Sequence, residues 1–193
     1  MMPQAAVSSL LTDALAHEQA GRLAEMERCV RAALAQAPDH PGALFALARL
    51  ALRSGRFSVA LDLTERALAA APQAPELHRT KGLALANMGR IEEGCAALSH
   101  ALSLAPDWVD AACDLGRLLF QAERLDEMLS LLVPFDAPAA HVLRGQALMV
   151  LGRLDEAAAG YGRALDWRPA RTTPSSAWPR SISSATSPSR CWT

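Results

Sequence analysis

Glycine and proline recur in this 193-residue chain at a fixed interval, and that interval constrains the fold more than any local motif. Gly21, Gly55 and Gly89 are 34 residues apart, as are Pro38, Pro72 and Pro106, and each Pro follows its Gly by 17. Gly152 and Pro169 reproduce the interval of 17. Each of these glycines is followed by Arg and a large apolar residue: Arg22-Leu23, Arg56-Phe57, Arg90-Ile91 and Arg153-Leu154. An Ala stands five residues before each Pro: Ala33, Ala67, Ala101 and Ala164. Agreement of independent positions on one period marks a stacked repeat, whose units bury their apolar faces only against their neighbours.

Within one period the pattern reads helix, turn, helix. In the third copy Pro75 suits a first helical turn, where its missing N–H is not needed. Leu77, Leu83 and Leu85 give an apolar face that runs on to Met88. Gly89 then supplies a left-handed residue to close the helix. Ile91, Ala97, Leu98, Ala101 and Leu102 follow at helical spacing, and Pro106 stops the second helix. Small residues recur five positions after the turn, at Ala60, Gly94 and Ala157, where two helices would cross closely. Composition agrees: 40 Ala and 30 Leu stand against 7 Val and 2 Ile. That balance favours helices and argues against a sandwich or a parallel sheet. The expected class is all-α.

A fourth copy is damaged. Glu123 fills its glycine slot, followed by Arg124-Leu125, and Gly152 comes 29 residues later, five short of the period. Pro134 falls where the second helix should still be running. Proline cannot continue a helix, so this one is predicted to be short by about a turn and a half at 3.6 residues per turn.

These units resemble tetratricopeptide repeats in their 34-residue length, turn glycine, small residues and closing proline. Leu115-Gly116 matches the family's first-helix signature best. Lys81-Gly82 and Arg144-Gly145 keep its Gly, and Leu47-Ala48 its Leu. The aromatic slots depart from it: His78 and His141 take the bulky position, and Tyr161 is the one good aromatic in a second helix. The register gives a leader at 1–6, five units at 7–40, 41–74, 75–108, 109–137 and 138–169, and a tail at 170–193. The first unit diverges at Asp13 and Ala14. The resemblance implies a right-handed superhelical solenoid whose first helices line a concave groove, and a function of binding a peptide or partner helix.

Groove slots carried over from the family fall on Phe45, Arg49 and Arg53 in the second unit, and on Glu76, Arg79, Leu83 and Asn87 in the third. In the fourth they fall on Asp110, Cys113, Arg117, Phe120 and Gln121, and in the fifth on Gln146 and Met149. Arg and aromatic residues are the types that make binding hot spots. Arg49, Arg79 and Arg117, with Phe45 and Phe120 beside them, suit a ligand with acidic and apolar side chains. Asp110 and Asp114 would partly neutralise that row. Some family members clamp a chaperone's terminal carboxylate with Lys and Asn. Those slots hold Phe45 with Arg49 and Arg79 with Leu83, so chaperone-tail binding is not expected.

The sequence shows no enzyme site and no cofactor motif. The carboxylate pairs Glu92-Glu93, Asp126-Glu127 and Asp155-Glu156 recur in the first turn of a second helix, where the helix dipole favours negative charge. His78 and His141 lie two units apart, about 20 Å at 10 Å per helix layer, and cannot share a metal. Cys29, Cys95, Cys113 and Cys191 form no CxxC pair and no disulfide framework. Net charge is -1, from 18 Arg, one Lys (Lys81) and 20 acids, so no basic field points to nucleic acid. The Arg excess suits a GC-rich bacterial genome. The longest apolar stretch, Ala43 to Leu52, contains Arg49, which is too short and too charged to span a membrane. Residues 1–20 lack a basic region and carry Asp13 and Glu18, so no secretory signal is expected and the cytoplasm is the default.

The tail departs abruptly. Residues 170–193 hold 11 Ser or Thr, three Pro and three Arg, with no Leu, Gly or acid. Three readings stay open: a disordered segment, an out-of-frame translation, and a basic motif for acidic partners. Leu154 to Asp166 would then expose apolar residues that a following unit should cover, so a parent protein continued or two chains self-associate there. The main expectation is a non-catalytic interaction scaffold. Its rival is the docking or regulatory region of a larger enzyme of sulfotransferase or glycosyltransferase type.

Overall fold

The computed structural model describes residues 3–167. Among them are ten α-helices and no strand: α1 (Pro3–Gln19), α2 (Leu23–Gln36), α3 (Pro41–Arg53), α4 (Phe57–Ala70), α5 (Pro75–Asn87), α6 (Ile91–Leu104), α7 (Val109–Gln121), α8 (Leu125–Leu132), α9 (Pro138–Val150) and α10 (Leu154–Asp166). The first helix reaches back into residues 3–6, which the repeat register sets apart as a leader. The tail expected at 170–193 lies outside the described residues.

Local chemistry sets the helix ends. Pro41, Pro75 and Pro138 occupy first-turn positions. His40 caps α3, its Nδ1 accepting from the Ala43 N–H at 3.3 Å. Gly21, Gly55, Gly89 and Gly152 lie at φ +72°, +72°, +80° and +73°. In each turn the following Arg N–H donates back to a carbonyl five residues earlier, as Arg56 does to Ala51 at 2.9 Å and Arg153 to Leu148 at 2.9 Å. That is the Schellman closure, for which glycine is the unstrained residue. Glu123 makes the same turn at φ +59°, with the Arg124 N–H on the Leu119 carbonyl at 2.9 Å. A side chain in that region costs about 1–2 kcal/mol.

Helices joined by such short turns fold back on each other, and one slot fixes how they meet. The eighth residue of each first helix is small: Ala48, Gly82, Gly116 and Gly145 in α3, α5, α7 and α9. A large eighth residue of the second helix packs over it. A Cβ built on Gly82 would stand 2.7 Å from Leu98 Cγ, on Gly116 3.2 Å from Leu132 Cδ1, and on Gly145 2.9 Å from Tyr161 Cε1. Leu98 and Leu132 are fully buried.

Each second helix also packs on the next first helix, and α3, α5, α7 and α9 touch one another in succession. The described second helices lie farther from one another than the first helices do, as at α6 and α8, which meet through the Arg124–Glu92 ion pair at 3.0 Å. The first helices therefore form the inner side of the stack. The shortened helix α8 ends at Leu132, 8 residues long where α4 and α6 have 14. Phe135 then turns inward beside Leu132 and Leu143 and fills part of the space that two further turns would have taken.

Candidate functional interface

A cleft of about 680 Å³ opens on the inner side, across α3, α5 and the start of α7. Its α3 wall is Phe45, Arg49, Leu52 and Arg53, and its α5 wall is Glu76, Arg79, Thr80, Leu83 and Asn87. The three-, four- and seven-residue spacings put each set on one helix face. Phe57 and Trp108 close the ends.

Seven predicted groove residues, Phe45, Arg49, Arg53, Glu76, Arg79, Leu83 and Asn87, thus border one cavity. Asp110, Arg117, Phe120 and Gln121 stand on α7 outside it. Phe45 is only 5% exposed and packs with Leu44, Ala67 and Leu77. It forms the floor of the cleft as part of the core, because it faces the gap between α3 and the α4–α5 layer. Phe120 stays 37% exposed.

The row of Arg is not a row of free cations. Arg49 forks onto Glu18 at 2.6 and 3.4 Å and lies over the Phe45 ring, 5.6 Å from its centroid. Arg79 grips Asp114 through Nη2 at 2.6 Å and Nε at 2.7 Å, and lies 5.2 Å from the Trp108 ring centroid. Arg117 takes the other oxygen of Asp114 at 2.8 Å. The Glu18 and Asp114 side chains are 13% and 11% exposed, so both carboxylates are largely removed from water and need these donors. Charge-assisted forks with an aromatic face behind them hold the guanidinium planes in place. Arg53 is exposed and, among the described residues, has no carboxylate partner.

Glu18 and Trp108 were not among the predicted groove residues. The signal was charge spacing: Glu18 and Arg49 are 31 residues apart, and Arg79 and Asp114 are 35 apart, each close to one period. The acid pairs of the second helices also do more than meet a dipole. Glu93, Glu127 and Glu156 fork with Arg90, Arg124 and Arg153 at 2.6 to 2.8 Å, and each Arg holds its carboxyl below the usual carboxylate range.

A second cleft of about 450 Å³ lies between α6, α7 and α8 and contains Cys95, Ser99, Arg124 and Glu127. Burial pushes the Cys95 and Cys113 thiols up, away from the thiolate a nucleophile needs. Burial pulls the His40 and His78 imidazoles down. His78 Nε2 donates to the Pro72 carbonyl at 2.8 Å and its ring lies against His100, the centroids 4.1 Å apart and the planes tilted at 46°. Among the described residues no three His, Cys, Asp or Glu groups converge in a way that could hold a metal ion. No described helix is long and apolar enough to cross a membrane.

Comparison with known proteins bears on the family and the fold. Two family models described as tetratricopeptide repeat match the chain, one over residues 47–114 and the other over 11–75 and 136–177. An Arabidopsis thaliana protein described as "Protein CTR9 homolog" is 37% identical over 87 residues, which are 45% of this chain and 8% of that one. The chain therefore spans under a tenth of that relative's length. The crystal structure of TTC0263, a thermophilic TPR protein of Thermus thermophilus, superposes with a TM-score of 0.68 at 23% identity, covering 83% of this chain and 91% of that one. A Thermobaculum terrenum O-GlcNAc transferase mutant superposes with a TM-score of 0.61 at 28% identity, covering 78% of this chain but 27% of that one.

Proposed function

Because this chain belongs to the tetratricopeptide repeat family, whose arrays generally mediate protein–protein interaction, we propose that it is a non-catalytic scaffold holding an extended peptide or a partner helix along α3, α5 and α7. One observation carries this reading: the inner cleft offers apolar walls beside guanidinium groups already fixed in place. Pre-ordered side chains lose little entropy when a ligand arrives, so their contacts return more of their energy as affinity.

The arrangement also defines the ligand. Arg49 and Arg79 are satisfied, so a strongly acidic peptide would have to displace Glu18 and Asp114. A ligand that seats an apolar side chain against Leu52, Leu83 and Trp108 and brings a single acid to Arg53 fits without that exchange. The free thiols of Cys29, Cys95 and Cys113 suit a reducing compartment such as the cytoplasm. The test is a peptide-array or lysate capture with wild type, Leu83→Glu and Arg53→Ala. Leu83→Glu should lose the captured partners, and Arg53→Ala should weaken them and flatten the salt dependence. Equal recovery by all three would remove the cleft from consideration.

A second reading makes the array the docking or regulatory part of a larger enzyme. It is favoured by the transferase likeness, which covers 27% of that chain, and by the apolar end of the stack. Val150, Leu154 and Leu165 are 63%, 65% and 87% exposed there. A following unit, or a second copy of the chain, would cover them. Sedimentation of the full chain separates the two coverings: a concentration-dependent dimer lost in Leu165→Glu means self-association.

A further inference from the structure

We propose that a small cavity between α9 and α10 is an oxyanion site that takes a phosphate group. The cavity measures about 160 Å³ and is lined by His141, Arg144 and Leu148 on one side and Glu156, Gly160 and Arg163 on the other. Two guanidinium groups face it. Neither Arg144 nor Arg163 has an ion pair among the described residues, where most other Arg side chains are paired with acids. The Arg144 Nε is buried with no hydrogen-bond partner. A buried donor left unpaired costs more than most contacts supply, and such a group calls for an ion or ligand that completes it.

The acid that lines the cavity is already engaged: Glu156 gives both oxygens to Arg153 at 2.7 Å. His141 Nε2 is held at 2.8 Å by Asp136, which lies outside the lining. The two guanidinium charges are therefore uncompensated at the cavity itself. Their planar donor forks match the oxygens of a phosphate dianion, and the cavity has room for that group.

The third unit fills the equivalent positions differently: His78 lies against His100, their ring planes tilted at 46°, and Lys81 bonds Glu65 on the preceding second helix at 2.9 Å. His141, Arg144 and Arg163 stand in the fifth unit where His78, Lys81 and His100 stand in the third. The residue in Glu65's place is Val133, at the point where α8 has already stopped. The fifth unit thus lacks the acid that serves Lys81 in the third, and holds a second cation, Arg163, where the third has His100.

The experiment is calorimetric titration of the full chain with inorganic phosphate, at constant ionic strength set by chloride. One phosphate should bind per chain. Arg163→Gln, at an exposed position, should weaken binding at least tenfold while leaving the circular dichroism unchanged. Arg144→Gln should do the same if it folds, and Arg28→Gln, at an exposed position on α2, should bind as wild type. Phosphate should also raise the melting temperature above its value in chloride, and this rise should vanish in Arg163→Gln. A parallel titration with O-phosphoserine identifies the source: at least tenfold tighter binding points to a phosphorylated partner side chain, and equal binding to free phosphate. The proposal is overturned if phosphate gives no binding beyond chloride, if Arg163→Gln binds as wild type, or if acetate binds as tightly as phosphate.

Discussion

Gly82 and Gly94 face one another where α5 crosses α6, and a single methyl at either position tests that crossing. A Cβ at Gly94 would lie 3.0 Å from the Gly82 carbonyl oxygen, 3.1 Å from Leu118 Cδ1 and 3.3 Å from the Ala86 nitrogen. Two of those three atoms are backbone and cannot swing aside. At Gly82 the Cβ would meet Leu98 Cγ at 2.7 Å, and Leu98 is itself fully buried. Glycine to alanine inside a helix stabilises by about 1 kcal/mol through propensity alone. Overpacking a tight core costs about 1–3 kcal/mol. The packing cost wins, so Gly94→Ala should destabilise by up to about 2 kcal/mol, with Gly82→Ala at the top of that span. Gly94→Leu, which adds three more carbons at the same point, should cost about 3 kcal/mol. Gly162 in α10 supplies the control, because a Cβ there meets nothing within 4 Å. Gly162→Ala keeps only the propensity gain and should stabilise. Urea and thermal unfolding followed by circular dichroism read all four, at about 2–4 °C per kcal/mol for a chain of this size. If Gly94→Leu and Gly82→Ala unfold at the wild-type midpoint, α5 and α6 do not meet at these residues and the packing argument fails.

The turn at Glu123 gives an opposite sign: Glu123→Gly should raise the melting midpoint by up to about 1 kcal/mol, since relief of the left-handed strain exceeds the added freedom of the unfolded chain. Native-state hydrogen exchange should find the earliest internal opening between Glu123 and Pro138, where α8 is short and its coupling poorest, and uniform protection from α3 to α9 would refute this. Burial depresses the His40 and His78 imidazoles, so the unfolded chain binds protons first as the pH falls through the ordinary imidazole value of 6.5. Stability should be complete above that value and decline below it toward the lower folded-state values, and His78→Gln should flatten the slope in pH-dependent melts. Alkylation of the native protein should modify half-buried Cys29 before Cys95 and Cys113, whose thiols burial pushes up, as peptide mass mapping would read.

The period made most of the architecture legible. Gly21, Gly55, Gly89 and Gly152 have positive φ, and Pro41, Pro75 and Pro138 open helices, because turn and cap chemistry is local and follows residue type. The shortening of α8 was legible too, from Pro134 and a spacing five residues short. The inner cleft was only half legible. Slot counting placed Arg49, Arg53, Arg79 and Asn87 on its walls, but it treats each helix alone. The partners that neutralise Arg49 and Arg79 come from α1 and α7, and Trp108 comes from a turn. Whether an exposed-looking cation is free depends on a carboxylate about one period away, which no single unit reveals. Phe45 shows the same limit in reverse, since a groove slot by count is a core residue by packing.

The short fourth unit acts on the stack as a dislocation acts on a one-dimensional crystal. Units before and after it share the same lattice, but the five missing residues offset their phase. On the inner side the fault draws neighbouring layers together, with α7 and α9 meeting more extensively than α5 and α7 do. A peptide laid along α3, α5 and α7 as proposed would meet that closer contact at α9. In the fifth unit Val133 stands where Glu65 serves Lys81 in the third, and the Arg144 Nε has no partner. Restoring five residues after Leu132, with Glu in the place of Val133, should therefore lengthen the proposed peptide track and give Arg144 an acid in a single step.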